Sequence, residues 1–90
     1  MNTTLIPAAD ITYMAEYDAA NDDYDATVTR LRARRDSEFA HLLPADRTSI
    51  NQIGLDAMVP EIETLVEQAG VERITRIAAA RATRNQALPA

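Results

Sequence analysis

The sequence contains a single histidine, His41, the side chain best suited to acid–base chemistry near neutral pH. Ser37 and Glu38 lie about one helical turn before it, so a nucleophile and an orienting acid are close along the chain. The position is equally typical of a helix C-terminus, where the helix dipole favours a cationic imidazole. We favour the helix-end interpretation because no further residue completes a catalytic group. We therefore predict that the protein is not an enzyme.

The acidic residues do not form a recognisable metal site or carboxylate pair. Asp22, Asp23 and Asp25 resemble the opening of a calcium-binding loop, but the glycine and glutamate that such a loop needs further on are missing. Glu61 and Glu63 fall on different faces of a helix. The sequence has no Cys, which excludes thiolate ligands and disulfides. We expect no catalytic residue, no metal and no cofactor.

Arginines near the C-terminus offer a different chemistry, which is binding to phosphate groups. They are Arg73, Arg76, Arg81 and Arg84. Residues 65–73, LVEQAGVER, resemble the centre of a helix-turn-helix, with its apolar, small, Gly, apolar order. Val66 and Arg76 depart from that motif, which prefers an alanine and an inward apolar residue at these places. The alternative functional prediction is therefore a DNA-binding regulator with a degenerate helix-turn-helix at about 62–84. We favour a solvated helix face instead, because the net charge of −5 is opposite to the usual charge of DNA-binding domains.

All four aromatic side chains of the sequence belong to one long amphipathic helix, predicted over about residues 8–43. A stripe of side chains at spacings of three and four lies within about 50° of one direction on a helical wheel. The stripe consists of Tyr13, Tyr17, Ala20, Tyr24, Val28, Leu31, Arg35, Phe39 and Leu42. Residues 21–23 are of types that cap helices, but the stripe keeps its phase across them, so we predict a continuous helix. Pro44 ends it.

Shorter helices are predicted to follow, at about 49–59, 60–69 and 71–88. Ser49 and Gln52 have the spacing of a capping box, Pro60 suits a restarted helix, and Gly70 suits a helix C-terminus. In the last helix, the predicted inward residues are Ile74, Ile77 and Ala78. The chain is thus predicted to be one all-α domain over 1–90, in which the long helix packs antiparallel against the shorter ones as a hairpin or bundle.

The charges alternate in blocks along the chain, and this favours the same antiparallel arrangement. Residues 1–29 carry only acidic charges and residues 30–35 only basic ones, while 36–72 are mostly acidic and 73–90 carry only basic ones. All nine cations are Arg, so each can form bidentate bonds to a carboxylate. Folding back near residues 44–48 brings each basic block opposite an acidic one.

The predicted function is that of a non-catalytic protein-binding module that acts by docking a helix face. It would be a small regulator, inhibitor or assembly component, of phage or mobile-element type, and a second alternative is a minor structural subunit of a large particle. The predicted partner-binding residues are Tyr13, Tyr17, Tyr24, Arg30, Arg34 and Arg35. Homo-oligomerisation through the long helix is also predicted. With no apolar stretch of membrane-spanning length, we expect no membrane association and a location in the cytoplasm, or in the virion if a phage encodes the protein.

Overall fold

The computed structural model describes residues 7–87, and they form a helical hairpin. Helix α1 spans Ala8–Glu38, α2 spans Gln52–Ala57 and α3 spans Pro60–Ala87, with a short 3-10 turn at Ala40–Leu42. The described residues contain no strand. Helices α1 and α3 pack antiparallel along a rod of 63 × 24 × 17 Å. The predicted all-α class and the antiparallel packing of the long helix are confirmed.

Helix α1 is continuous through residues 21–23, as predicted, but it ends at Glu38 and not near residue 43. Phe39 closes the helix by donating its N–H to the carbonyl of Arg35. The chain turns here because Leu43, extended before Pro44, is buried in the core at 7% exposure.

The entry to α2 differs from the prediction, while the entry to α3 agrees with it. Asn51, and not Ser49, caps α2, because its side-chain oxygen accepts the N–H of Gly54 at 2.8 Å. The Ser49 hydroxyl points back to the carbonyl of Asp46 at 3.4 Å. Pro60 is the first residue of α3, where its fixed φ and missing N–H cost nothing. The predicted restart of a helix at this proline is confirmed.

The predicted boundary at Gly70 is wrong, because α3 runs through this position without interruption. Gly70 keeps a negative φ and faces α1, where an added Cβ would meet Cε1 of Tyr24 at 3.7 Å. The glycine therefore permits close packing of two helices and does not end one. The predicted helices at 60–69 and 71–88 are one helix, and the turn of the helix-turn-helix is not formed; residue 88 lies outside the described residues.

The apolar core lies at one end of the hairpin, which we call the closed end because α2 and the connection between α1 and α3 lie there. Its buried residues are Leu43, Leu55, Val59 and Ile62, with Leu31, Phe39, Ile50 and Val66 packed against them. The other end, formed by residues 8–27 and 69–87, has α1 and α3 only, and we call it the open end. Helix α2 is too short to reach it.

Candidate protein-binding surface

The closed end is organised around a buried ion pair between Arg35 and Asp56, which are 1% and 3% exposed. Asp56 accepts a short hydrogen bond from Nη1 of Arg35 and two bonds from Arg32, at 2.9 Å from Nη2 and 3.1 Å from Nε. Arg35 also donates to the backbone carbonyl and the side-chain oxygen of Gln52, at 3.3 and 2.7 Å. Helix α2 is thus held to α1 by charge-assisted bonds as well as by apolar packing.

Arginine side chains also lie between α1 and α3 at the open end. Ala20 and Ala69 are the buried residues there, at 1% and 8% exposure. Half-buried arginines lie beside them: the guanidinium of Arg73 lies 4.3 Å from the ring centroid of Tyr24, and that of Arg84 lies 4.4 Å from the ring centroid of Tyr13. At the open end, arginine stems and alanines thus pack between the helices, whereas at the closed end large aliphatic side chains do so.

Ion pairs between the two long helices follow the charge blocks. Arg76 donates to Glu16 at 2.8 Å and to Asp23 at 2.6 Å, and these hydrogen bonds raise the pKa of Arg76 above its ordinary value. At the closed end, Arg34 donates to Glu61 at 2.9 Å. The predicted approach of the C-terminal cations to the N-terminal acids is therefore confirmed, as is that of the 30–35 block to the acidic middle.

Apolar side chains of the open end lie on its surface, because alanine and arginine line its interior. Met14 and Tyr17 on α1 are 53% and 42% exposed, and Ile74 on α3 is 64% exposed. The predicted inward position of Ile74 is wrong for this reason, and so is that of Ala78, which is also exposed; Ile77 is half-buried.

Helix geometry places these side chains on the side of the hairpin that α2 covers at the closed end. Met14 and Tyr17 lie 18 residues before Arg32 and Arg35, which is about five full turns, so they point in the same direction as the two arginines that bind α2. On α3, Ile74 continues a row at spacings of three and four that begins beside α2. The row consists of Glu63, Glu67, Gly70, Ile74 and Ile77. We call this uncovered surface, made by Met14, Tyr17, Ile74 and Ile77, the open face.

The predicted partner-binding residues are not brought together. Tyr17 is exposed on the open face, but Tyr13 and Tyr24 are half-buried beneath arginines, and Arg35 is inside the core. Arg30 is exposed at a distance from the open face, and Arg34 is held by Glu38 and Glu61. The glutamates raise the pKa of Arg34, Glu38 contributing most.

The arginines predicted to bind nucleic acid are mostly engaged within the hairpin. Arg73, Arg76 and Arg84 bind side chains of α1, and Arg81 is exposed. Sequence reasoning missed Met14 and Ile74 as surface residues. The signal that could have found Met14 is its angle of about 80° or more from the middle of the α1 stripe.

No protein-family model matches the chain, and the searches of curated proteins and of solved structures found no match either. Residues 7–87 contain no group of three His, Cys, Asp or Glu side chains that could hold a metal ion. None of the helices in this part of the chain combines the length and the apolarity needed to cross a membrane.

Proposed function

We propose that the protein is a non-catalytic protein-binding module and that its open face is the docking surface. The observation that carries this proposal is the exposure of Met14, Tyr17 and Ile74 on one side of the open end. A contiguous apolar surface rimmed by charged residues is typical of a protein interface. Aromatic and methionine side chains are enriched in the centres of such interfaces.

Docking on the open face would continue a packing pattern that the chain already uses. At the closed end, α2 covers the same side of the hairpin and buries Leu55 against it. A partner helix laid along the open end would cover Tyr17 and Ile74 in the same way. A regulator, an inhibitor or an assembly component would each bind its partner through this surface, and we propose these as the specific roles.

The test is affinity capture from the source cell with three tagged baits: the wild type, Ile74→Glu and Ala79→Glu. Ala79 is a matched control, because it is exposed on the same helix but, five residues after Ile74, points about 140° away from it. We expect a protein that is retained by the wild type and by the Ala79 variant and is lost from the Ile74 variant. Equal recovery by all three baits would contradict the proposal. Nucleic acid retained by all of them would favour the DNA-binding alternative.

A further inference from the structure

We propose that the partner that docks on the open face is a basic amphipathic helix of another protein. This inference rests on the proposed docking function and names the chemistry of the partner. It starts from the charged residues that lie among the apolar ones. On α1, Asp18 and Asp25 lie within about 40° of the direction of Met14. On α3, Glu67 lies within about 20° of the direction of Ile74. The open face therefore carries carboxylates beside its apolar side chains.

These carboxylates are not neutralised within the hairpin. Asp18, Asp25 and Glu67 are exposed and form no ion pair among residues 7–87. Arg81, about 20° from Ile74 in direction, is one positive charge on the same side against these three negative ones. A second copy of the chain would bring the same carboxylates against them, so like charges would meet. A helix with Arg or Lys beside its apolar residues would instead neutralise them while it covers the apolar surface.

The hairpin already binds one helix by this combination of contacts, with the signs of the charges reversed. At the closed end, Arg32 and Arg35 of α1 bind Asp56 of α2, and Leu55 of α2 packs in the apolar core. Asp25 lies seven residues before Arg32, or nearly two turns, so it points in about the same direction. Along one side of α1, the charge thus changes from positive, where an acidic residue of α2 covers it, to negative, where no helix of the described residues covers it.

A groove beside α2 extends the open face towards the closed end. It has a volume of about 280 Å³, and its lining includes three apolar residues and two glutamates, namely Ile53, Val66, Gly70, Glu63 and Glu67. Arg32 and Asp56 also line it, but they bind each other. Ile53 is 74% exposed at the edge of the groove, where a helix laid along the open face would cover it. An apolar floor with acidic side chains fits the helix-in-groove mode of recognition, in which the bound helix presents apolar residues at spacings of three and four.

Binding of two designed peptides tests the inference. Both are amphipathic helices of about 18 residues, or about 27 Å, with Leu at spacings of three and four; one carries Arg on both flanks and the other carries Glu. Fluorescence anisotropy should give a Kd in the micromolar range for the Arg peptide and one at least about tenfold higher for the Glu peptide. Raising NaCl from about 0.1 to 0.5 M should weaken binding of the Arg peptide, because salt screens the charges. Equal binding of the two peptides, or binding of neither, would overturn the inference.

A matched pair of variants separates docking on the open face from a general attraction to an acidic protein. Glu67→Gln and Glu72→Gln each remove one exposed carboxylate of α3, but Glu72, five residues after Glu67, points about 140° away from it. We expect Glu67→Gln to raise the Kd of the Arg peptide about two- to fivefold and Glu72→Gln to raise it less than about 1.5-fold. Because both side chains are exposed, circular dichroism should report unchanged helicity for both variants. Equal effects on the Kd would overturn the inference.

A fluorescent label locates the bound peptide, and the absence of Cys from the sequence makes single labelling simple. Ala78 and Ala79 are exposed neighbours, but Ala78 lies about 40° from Ile74 in direction and Ala79 about 140°. With an environment-sensitive fluorophore on Ala78→Cys, emission should shift to shorter wavelength when the Arg peptide binds. The same label on Ala79→Cys should show little shift. Equal shifts would overturn the proposed position of the helix.

The capture experiment decides separately on the docking function. If neither peptide binds but Ile74→Glu still loses a captured protein, the basic helix is wrong and the docking function remains supported. If the chain binds neither peptide and self-associates in sedimentation velocity, a second copy is the better occupant of the open face and the inference is overturned.

Discussion

Removing the carboxylate of Asp56 should destabilise the protein more than any other single loss of an acidic side chain. Asp56 is 3% exposed and is the acceptor that Arg32 and Arg35 share. In Asp56→Ala, Arg35 remains buried at 1% exposure and keeps Gln52 and Asp36, but it loses the partner that neutralises it inside the core. Breaking one side of a buried ion pair typically costs about 3–5 kcal/mol.

That cost is large for a protein of this size. A chain of 90 residues is expected to have a free energy of unfolding of about 5–13 kcal/mol, so the variant should lose about a quarter or more of it. Each kcal/mol shifts the Tm of such a domain by about 4–8 °C, which gives a decrease of at least about 12 °C. Urea unfolding followed by circular dichroism measures the loss directly. The matched control is Asp22→Ala, an exposed acid without an ion pair among the described residues, and it should change the free energy of unfolding by less than about 0.5 kcal/mol.

The paired replacement separates the penalty of an orphaned charge from the value of the ion pair. Arg35→Met combined with Asp56→Leu removes both charges and fills a similar volume with apolar atoms. Replacements of this kind are often neutral or stabilising, so the double variant should recover most of the stability that Asp56→Ala loses. If Asp56→Ala costs no more than the Asp22 control, the ion pair does not hold α2 to α1 and the reasoning is refuted.

Three further outcomes follow from the local geometry. Gly70→Ala should raise the free energy of unfolding by about 0.5–1 kcal/mol in urea unfolding, because Gly70 lies inside a helix with space for a Cβ. A decrease in that free energy would instead favour the helix end that the sequence predicted at Gly70. Asn51→Ala should lower it by about 0.5–2 kcal/mol through loss of the α2 cap, whereas Ser49→Ala should have little effect. Arg76→Gln should speed amide hydrogen exchange at the open end severalfold more than Arg81→Gln, because Arg76 binds Glu16 and Asp23 of α1, whereas Arg81 is exposed and forms no ion pair among the described residues. Equal exchange in the two arginine variants would contradict the assigned role of Arg76.

Hydrophobic periodicity predicted the long helix α1, and the charge blocks predicted which segments of the chain pack against each other. The apolar stripe predicted α1 and its continuity through residues 21–23, because a single phase over many turns requires a straight helix. The charge blocks predicted which segments lie opposite each other, and Arg76 with Glu16 and Arg34 with Glu61 are the observed pairs. Each exposed pair is weak, but mispaired blocks would place like charges together along the entire rod.

The errors arose where one residue type serves two purposes. Gly70 fits a helix end and also fits a close helix crossing, and the second depends on where Tyr24 comes to lie. Residue types that favour an N-cap are present at both Ser49 and Asn51, and the geometry of the turn decides between them. The candidate site was missed in part because Ile74 was assigned to the interior by hydrophobicity alone, although Arg73 and Arg76 occupy that interior.

The position of the open face is a consequence of how arginine is used inside the hairpin. An arginine stem packs beside alanine about as well as a short apolar side chain does, and its guanidinium reaches a carboxylate or an aromatic ring of the opposite helix. Arg73, Arg76 and Arg84 do this along α3, so the interior of the open end needs no large apolar residue. Met14 and Ile74 are then not required to hold the two helices together. Their exposure therefore lowers solubility and does not stabilise the hairpin. Burial against another protein surface would remove these apolar side chains from water and stabilise the complex.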